Sequence, residues 1–234
     1  MSTLLSTPKT LPFNQPLTLS QSEHCLAITS QVPLRTLSSA LIGDGFGSTH
    51  CFANFHVDKN YDGRTPVADL RAWLGAQGLP SLSIAMMTAV RLSNASIVSM
   101  PLAQREHGVM ALVTAGTGNA VDITALHSQD PRLVAGTINV FVFVDAQLTD
   151  GALVNTCLSI TEAKVQALYK AGIMDTYSGT AATGTSTDCV CVAATQQGTQ
   201  TPYAGSGTSL GRAIGRAVYQ ATLNSLACSS EGFV

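Results

Sequence analysis

The chain has 234 residues, 45% of them hydrophobic and only 11% charged, with 12 Lys and Arg against 14 Asp and Glu and a net charge of −2. So apolar a composition excludes a disordered chain, and without a cationic excess a nucleic-acid backbone is not the expected partner. The longest apolar runs, such as 140–144, fall far short of the roughly 20 residues that span a bilayer, so no membrane partner is expected either.

Residues 1–20 mix Ser, Thr, Pro and Asn without an apolar stretch or a basic start. They read as an N-terminal tail ahead of a single domain at 21–234, and not as a secretory signal. Short β-rich runs bounded by turn residues follow at 24–31, 34–42 and 50–57, with Gly43, Gly45 and Gly47 punctuating the second and third. A helix is expected over 66–76, with Pro66 in its first turn and Gly78 just beyond its end. Strands are expected at 81–92, 95–102 and 108–114, then a loop over 115–132, then an almost wholly apolar strand at 137–145 that reads as buried on both faces. A second helix begins near Thr149 and Asp150 and stops near Gly172, a strand covers 189–195, and a last helix runs over 209–226. This order predicts an α+β or mixed α/β fold, a single domain of layered, mostly antiparallel or mixed β-sheet with flanking helices. Six cysteines without a Cys-x-x-Cys spacing read as reduced, mostly buried thiols of a cytoplasmic protein.

Because charge is scarce, the charges that do occur are informative. Between Thr176 and Gly211 Asp188 is the one charged residue, and it closes a run of small hydroxyl residues and glycine, Thr183-Gly184-Thr185-Ser186-Thr187. Such a turn offers backbone donors and hydroxyls to a polar ligand, or simply satisfies itself. On the second helix Leu153, Cys157, Ile160, Thr161, Leu168 and Ala171 are expected to form one apolar stripe with Lys164 in its middle, while Asn155, Ser159, Glu162 and Gln166 lie opposite. A lysine so placed must snorkel, find a buried carboxylate or work in a site. Arg212 and Arg216, spaced i, i+4 near the start of the last helix, face solvent or acidic partners, or hold an anion beside the turn Gly205-Ser206-Gly207. His50, His56 and Asp58 share a strand face by alternation; this reads more readily as structural than as a metal site, so no metal ligand is assigned and metal assistance is left open.

An ordered series of segments resembles the adenosylcobinamide amidohydrolase family of corrinoid salvage enzymes. It runs through Leu37-Ser38-Ser39-Ala40 with Gly43 and Gly45, Asn60-Tyr61, Met87-Thr88-Ala89, Val113-Thr114-Ala115-Gly116 with Asn119-Ala120, and Gly136-Thr137-Ile138-Asn139. Thr161-Glu162-Ala163-Lys164, Thr183-Gly184-Thr185 with Thr187-Asp188, Tyr203-Ala204-Gly205 and Leu210-Gly211 complete it, over roughly residues 35–220. Arg212 and Arg216 are not part of that pattern. The resemblance implies hydrolysis of the amide joining aminopropanol to a propionyl side chain of the corrin ring, giving adenosylcobyric acid. It places Glu162, Lys164 and Asp188 as catalytic candidates: Glu162 or Asp188 as base, Lys164 as acid or oxyanion partner, or Lys164 activating a threonine or serine nucleophile. Asn119, Asn139, Thr183, Thr185 and Thr187 are the substrate-binding candidates. The corrinoid is then substrate, no separate organic cofactor is expected, and a homo-oligomer is left open. The opposing readings are a non-catalytic corrinoid-binding protein and the same hydrolysis acting on complete cobamides.

Overall fold

A computed structural model describes residues 6–103, 105–126 and 136–230. The strands are β1 (Lys9–Thr10), β2 (Leu17–Gln21), β3 (Cys25–Ser38), β4 (Gly45–His56), β5 (Ile84–Thr88), β6 (Ser96–Leu102), β7 (Arg105–Ala115), β8 (Ala120–Val121), β9 (Ile138–Val144), β10 (Gln147–Leu148), β11 (Gly184–Thr185), β12 (Cys189–Ala194) and β13 (Gln200–Thr201). The helices are α1 (Pro66–Ala76), α2 (Asp150–Lys170) and α3 (Ser209–Ser230), with a short 3-10 turn at Leu92–Asn94. None of the helices is long and apolar enough, among the described residues, to cross a membrane.

Nine strands form one mixed sheet in which β3 is the corner. Its first half pairs with β2 and its second half with β12, while β4 runs along its other edge and carries β5. From β12 the sheet continues through β9 and β7 to β6, with β12 and β9 parallel. Around this corner the sheet folds over itself. Leu26, Ile28, Phe52, Ile84 and Met86 from one arm meet Met110, Leu112, Phe141 and Phe143 from the other. The rings of Phe52 and Phe143 meet edge to face with centroids 4.9 Å apart. On the outside of the second arm, α2 and α3 bury Val140, Val142, Val144 and Val192. On the outside of the first arm, α1 packs Leu70 and Leu74 on Cys25, Ala27, Ala53 and Phe55. The order is thus helix, sheet arm, sheet arm, two helices, an α+β layering and so the first of the two classes, α+β or mixed α/β, expected from the sequence. It explains why β9 carries no polar side chain except at its start: alternate residues face the interior between the arms and the helix layer, and neither face meets water.

Some boundaries differ from expectation. The runs 24–31 and 34–42 belong largely to one strand, because Pro33 sits at an irregularity between Thr29 and Leu34 where β3 changes partner and a missing N–H costs no ladder bond. The segment 1–20 supplies β1 and most of β2, and Leu11, Phe13 and Leu17 are buried in the inter-arm core. The strand expected at 81–92 is confined to Ile84–Thr88. The loop at 115–132 contains β8, and residues 127–132 of it lie outside the described residues. The start of α2 is as read: Thr149 caps it by accepting a hydrogen bond from the Ala152 N–H at 3.1 Å.

Candidate active site

The N-terminal ends of the parallel neighbours β9 and β12 lie side by side, and the residues entering them form a polar cluster. Asp188, one residue before β12, is its centre. Its Oδ1 accepts from the Ile138 N–H at 3.0 Å and from the Thr185 hydroxyl; its Oδ2 accepts from the Thr185 N–H at 3.1 Å and pairs with the Lys164 ammonium. Lys164 reaches it from α2, and both side chains are close to nine-tenths buried. The lysine on an apolar stripe and the lone carboxylate are therefore one feature, the second of the two satisfying the first.

Four donors saturate the Asp188 carboxylate. Lys164 has three ammonium hydrogens, and Asp188 is the one hydrogen-bond partner it has among the described residues. As the cation of an ion pair it offers donors and not a lone pair, so its chemistry is that of a proton donor or oxyanion stabiliser. Gly184 leaves the room for this pair: a Cβ there would lie 2.6 Å from Asp188 Oδ2 and 2.9 Å from Lys164 Nζ.

A second polar chain runs from the same point into the interior between the arms. The Thr137 hydroxyl, one residue before β9, donates to the Thr187 carbonyl at 2.8 Å and lies 3.3 Å from Asn139 Oδ1. Asn139 donates to Asn54 Oδ1 at 2.8 Å and to the Met87 carbonyl at 2.7 Å, and Asn54 donates to the Thr114 hydroxyl at 2.9 Å. All four of these side chains are buried. Alternation requires this: Thr137 and Asn139 share the face of Phe141 and Phe143, so polar groups there must satisfy one another.

Of the binding candidates, Thr185 and Thr187 border the pair, and the Thr187 hydroxyl donates to the Gly136 carbonyl at 2.8 Å. Asn119 donates to the Ser186 hydroxyl at 2.7 Å, and its Oδ1 is buried against Gly136, where a Cβ would approach it to 2.3 Å, without a partner among the described residues. Asn139 is sealed in the interior. Thr183 accepts from the Ile123 N–H at 3.0 Å and ties the loop after β8 to β11. Glu162 stands apart from all of these, exposed on the far side of α2 in a cleft with Arg212 and Arg216.

Sequence reasoning passed over Asn54, Thr114 and Thr137. Thr114 and Thr137 lie in segments that carry the family resemblance, and Thr137 also at the mouth of the apolar strand, whereas Asn54 had no signal, since only the folding over of the sheet unites it with the others.

The Cys189 thiol adjoins Asp188, and burial together with the Asp188 charge pushes it up to about 11, so it is protonated at neutral pH and no thiolate nucleophile. His50 and His56 use Nδ1 on the carbonyls of Ser30 and Val90, at 3.2 and 3.0 Å. Among the described residues no group of three His, Cys, Asp or Glu side chains is placed to hold a metal ion.

Two of the segments carrying the family resemblance have a packing role. Gly211 in α3 lies so close to the Tyr203-Ala204-Gly205 segment that a Cβ would fall 2.1 Å from the Gly205 carbonyl oxygen. Ser159 of α2 donates to the Ala204 carbonyl at 2.9 Å.

The family described as adenosylcobinamide amidohydrolase matches residues 11–232. An adenosylcobinamide amidohydrolase of Methanosarcina mazei is 28% identical over 174 residues, covering 70% of this chain and 76% of that protein. An uncharacterised protein of Methanocaldococcus jannaschii is 35% identical over 97 residues, 41% of this chain and 38% of its own length. Among solved structures, an L-aminopeptidase D-Ala-esterase/amidase from Ochrobactrum anthropi aligns with a TM-score of 0.45 at 11% identity, covering 95% of this chain and 82% of that one.

Proposed function

The chain belongs to the adenosylcobinamide amidohydrolase family and is an amidohydrolase; from that premise we propose that it hydrolyses the amide between aminopropanol and a corrin propionyl side chain of adenosylcobinamide. The products are adenosylcobyric acid and the free amino alcohol, which returns an incomplete corrinoid to cobamide synthesis. The observation that carries the reading is the buried Lys164–Asp188 pair at the shared mouth of β9 and β12.

Amide hydrolysis needs donors where the oxyanion develops and a proton for the departing amine. In this reading Lys164, aimed by its ion pair with Asp188, turns its free N–H groups to the scissile carbonyl. A water, or the hydroxyl of Thr137 or Thr185, adds to the carbonyl carbon. The tetrahedral oxyanion is stabilised by the ammonium, the proton given up by the nucleophile passes to the amide nitrogen, and the C–N bond breaks to free the amine; where a threonine hydroxyl attacked, the ester left on it is then hydrolysed by water. Asp188 then acts through Lys164, because its own lone pairs are occupied. Asn119, Thr185 and Thr187 are positioned to meet the amide-rich corrin edge, and the corrinoid is the substrate with no separate organic cofactor assigned.

Release of aminopropanol from adenosylcobinamide tests this. Lys164→Ala and Asp188→Asn are expected to lose turnover, and wild-type turnover in both overturns the site. Thr137→Val and Thr185→Val distinguish a hydroxyl nucleophile from water, and Glu162→Ala reports whether a side chain on the far side of α2 takes part. Tight corrinoid binding with no change in the ligand's mass would mark a binding protein instead, and parallel assays with complete cobamides define the substrate range.

A further inference from the structure

The side of α2 that faces away from the sheet is apolar. Val154, Leu158, Val165 and Tyr169 fall within about 60° of one another around the helix axis. Val154 is 46% exposed, Leu158 56% and Tyr169 67%, and Val165 is half-buried. A helix lying on a sheet normally turns polar side chains outward, so a second apolar stripe there is unpartnered surface.

Beside that stripe is a cleft of about 760 Å³ between α2, α3 and β6, lined among others by Glu162, Gln166, Arg212, Arg216 and Tyr219. Both arginines are exposed, and they stand one turn apart where their charges repel. The Arg212 guanidinium donates to the Ser206 carbonyl at 3.2 Å. None of the ion pairs among the described residues involves Glu162, Arg212 or Arg216, although all three line the same cleft.

We propose that this face of α2 and α3 is the interface through which two copies of the chain associate as an isologous dimer. In a two-fold contact residue i of one copy meets residue j of the other and the reverse, so a face must complement itself. This one does: an apolar centre from α2 is bordered by a carboxylate on one helix and two guanidinium groups on the next. The centre buries Leu158 and its neighbours, and Glu162 of each copy meets the arginine pair of the other, where a carboxylate can take two parallel N–H bonds. A small anion fits the same cleft less well, since Glu162 repels it and the stripe outside the cleft stays uncovered. The inference is independent of the corrinoid reading and gives Glu162, Arg212 and Arg216 a common role.

Sedimentation equilibrium of the full chain at micromolar concentration tests it. A dimer is expected for wild type and a monomer for Leu158→Glu, with retained circular dichroism showing that the variant folds. Glu162→Arg is expected to weaken association by about tenfold or more, and Glu162→Arg combined with Arg212→Glu and Arg216→Glu to restore it. A monomeric wild type, a dimer indifferent to Leu158→Glu, or failure of the triple charge reversal to restore association overturns the proposal. So does a monomer in which Arg216→Ala abolishes binding of inorganic phosphate, which marks the cleft as an anion site.

Discussion

Lys164 and Glu162 stand two residues apart on α2, about 200° around its axis, and the fold treats them in opposite ways. Lys164 is enclosed by β11 and the turn before β12, has a carboxylate within contact and lies beside Gly184, which leaves no side chain in its way. Glu162 is exposed, forms no ion pair within the described chain and borders a wide cleft. The difference lies in desolvation. A charge enclosed by protein must be paired and held by hydrogen bonds, which fixes its direction, whereas an exposed one is held loosely and is free for a partner. Catalytic precision is therefore expected on the Lys164 side and association on the Glu162 side.

The sharpest way to break the comparison is Lys164→Met, which keeps the volume and removes the cation. It leaves Asp188 enclosed with hydrogen bonds but no counter-charge, at a cost of about 3 kcal/mol or more, and turnover should fall by about 10²–10⁴-fold. Denaturant unfolding and an aminopropanol-release assay measure the two effects. Gly184→Ala comes next. Its methyl group would intrude on both Asp188 Oδ2 and Lys164 Nζ, so turnover should fall with a smaller loss of stability, since both charges can still reach one another after a shift.

Asn54→Ala probes the buried chain behind the pair. It strands the Asn139 amide and the Thr114 hydroxyl, and the unfolding free energy should drop by about 1–3 kcal/mol. The gentlest probe is acid. Hydrogen bonds from Thr180 and Thr124 hold the Asp122 carboxyl below its ordinary value of 3.8. Burial pushes the Asp175 carboxyl up, but N–H groups of Asp122 and Tyr177 and the Ser178 hydroxyl outweigh it, leaving it lowered too. A carboxyl lower in the folded than in the unfolded state stabilises the fold above its unfolded value, and that stability is lost as pH falls through its folded value. Thermal midpoints should therefore decline below about pH 4, and the decline should flatten in Asp122→Asn with Asp175→Asn.

Much of the fold was legible because its periodicities are strong. The cap at Thr149, the doubly buried β9 and the long helices follow from local pattern alone. The continuity of β3 was not legible, because Pro33 normally ends a strand and here falls where the strand exchanges one neighbour for another. On α2 the apolar stripe was placed only in part. Leu153, Ile160 and Leu168 face the core around Lys164, but Ser159, assigned to the polar face, is buried on the Ala204 carbonyl, while Thr161 and Ala171 are exposed. Periodicity finds one apolar arc, and α2 has two.

The sequence by itself determined that this is a charge-poor, layered α+β or mixed α/β domain in which Lys164 and Asp188 are conspicuous, because an isolated charge in apolar surroundings is visible without coordinates. Only the tertiary structure decided that the two are partners, that Glu162 is not with them, and that Thr137 and Asn139 continue into Asn54 and Thr114. These are contacts between segments 24 to 85 residues apart. Their geometry is set where the sheet turns its corner and brings the mouths of β9 and β12 under α2, which no local pattern encodes.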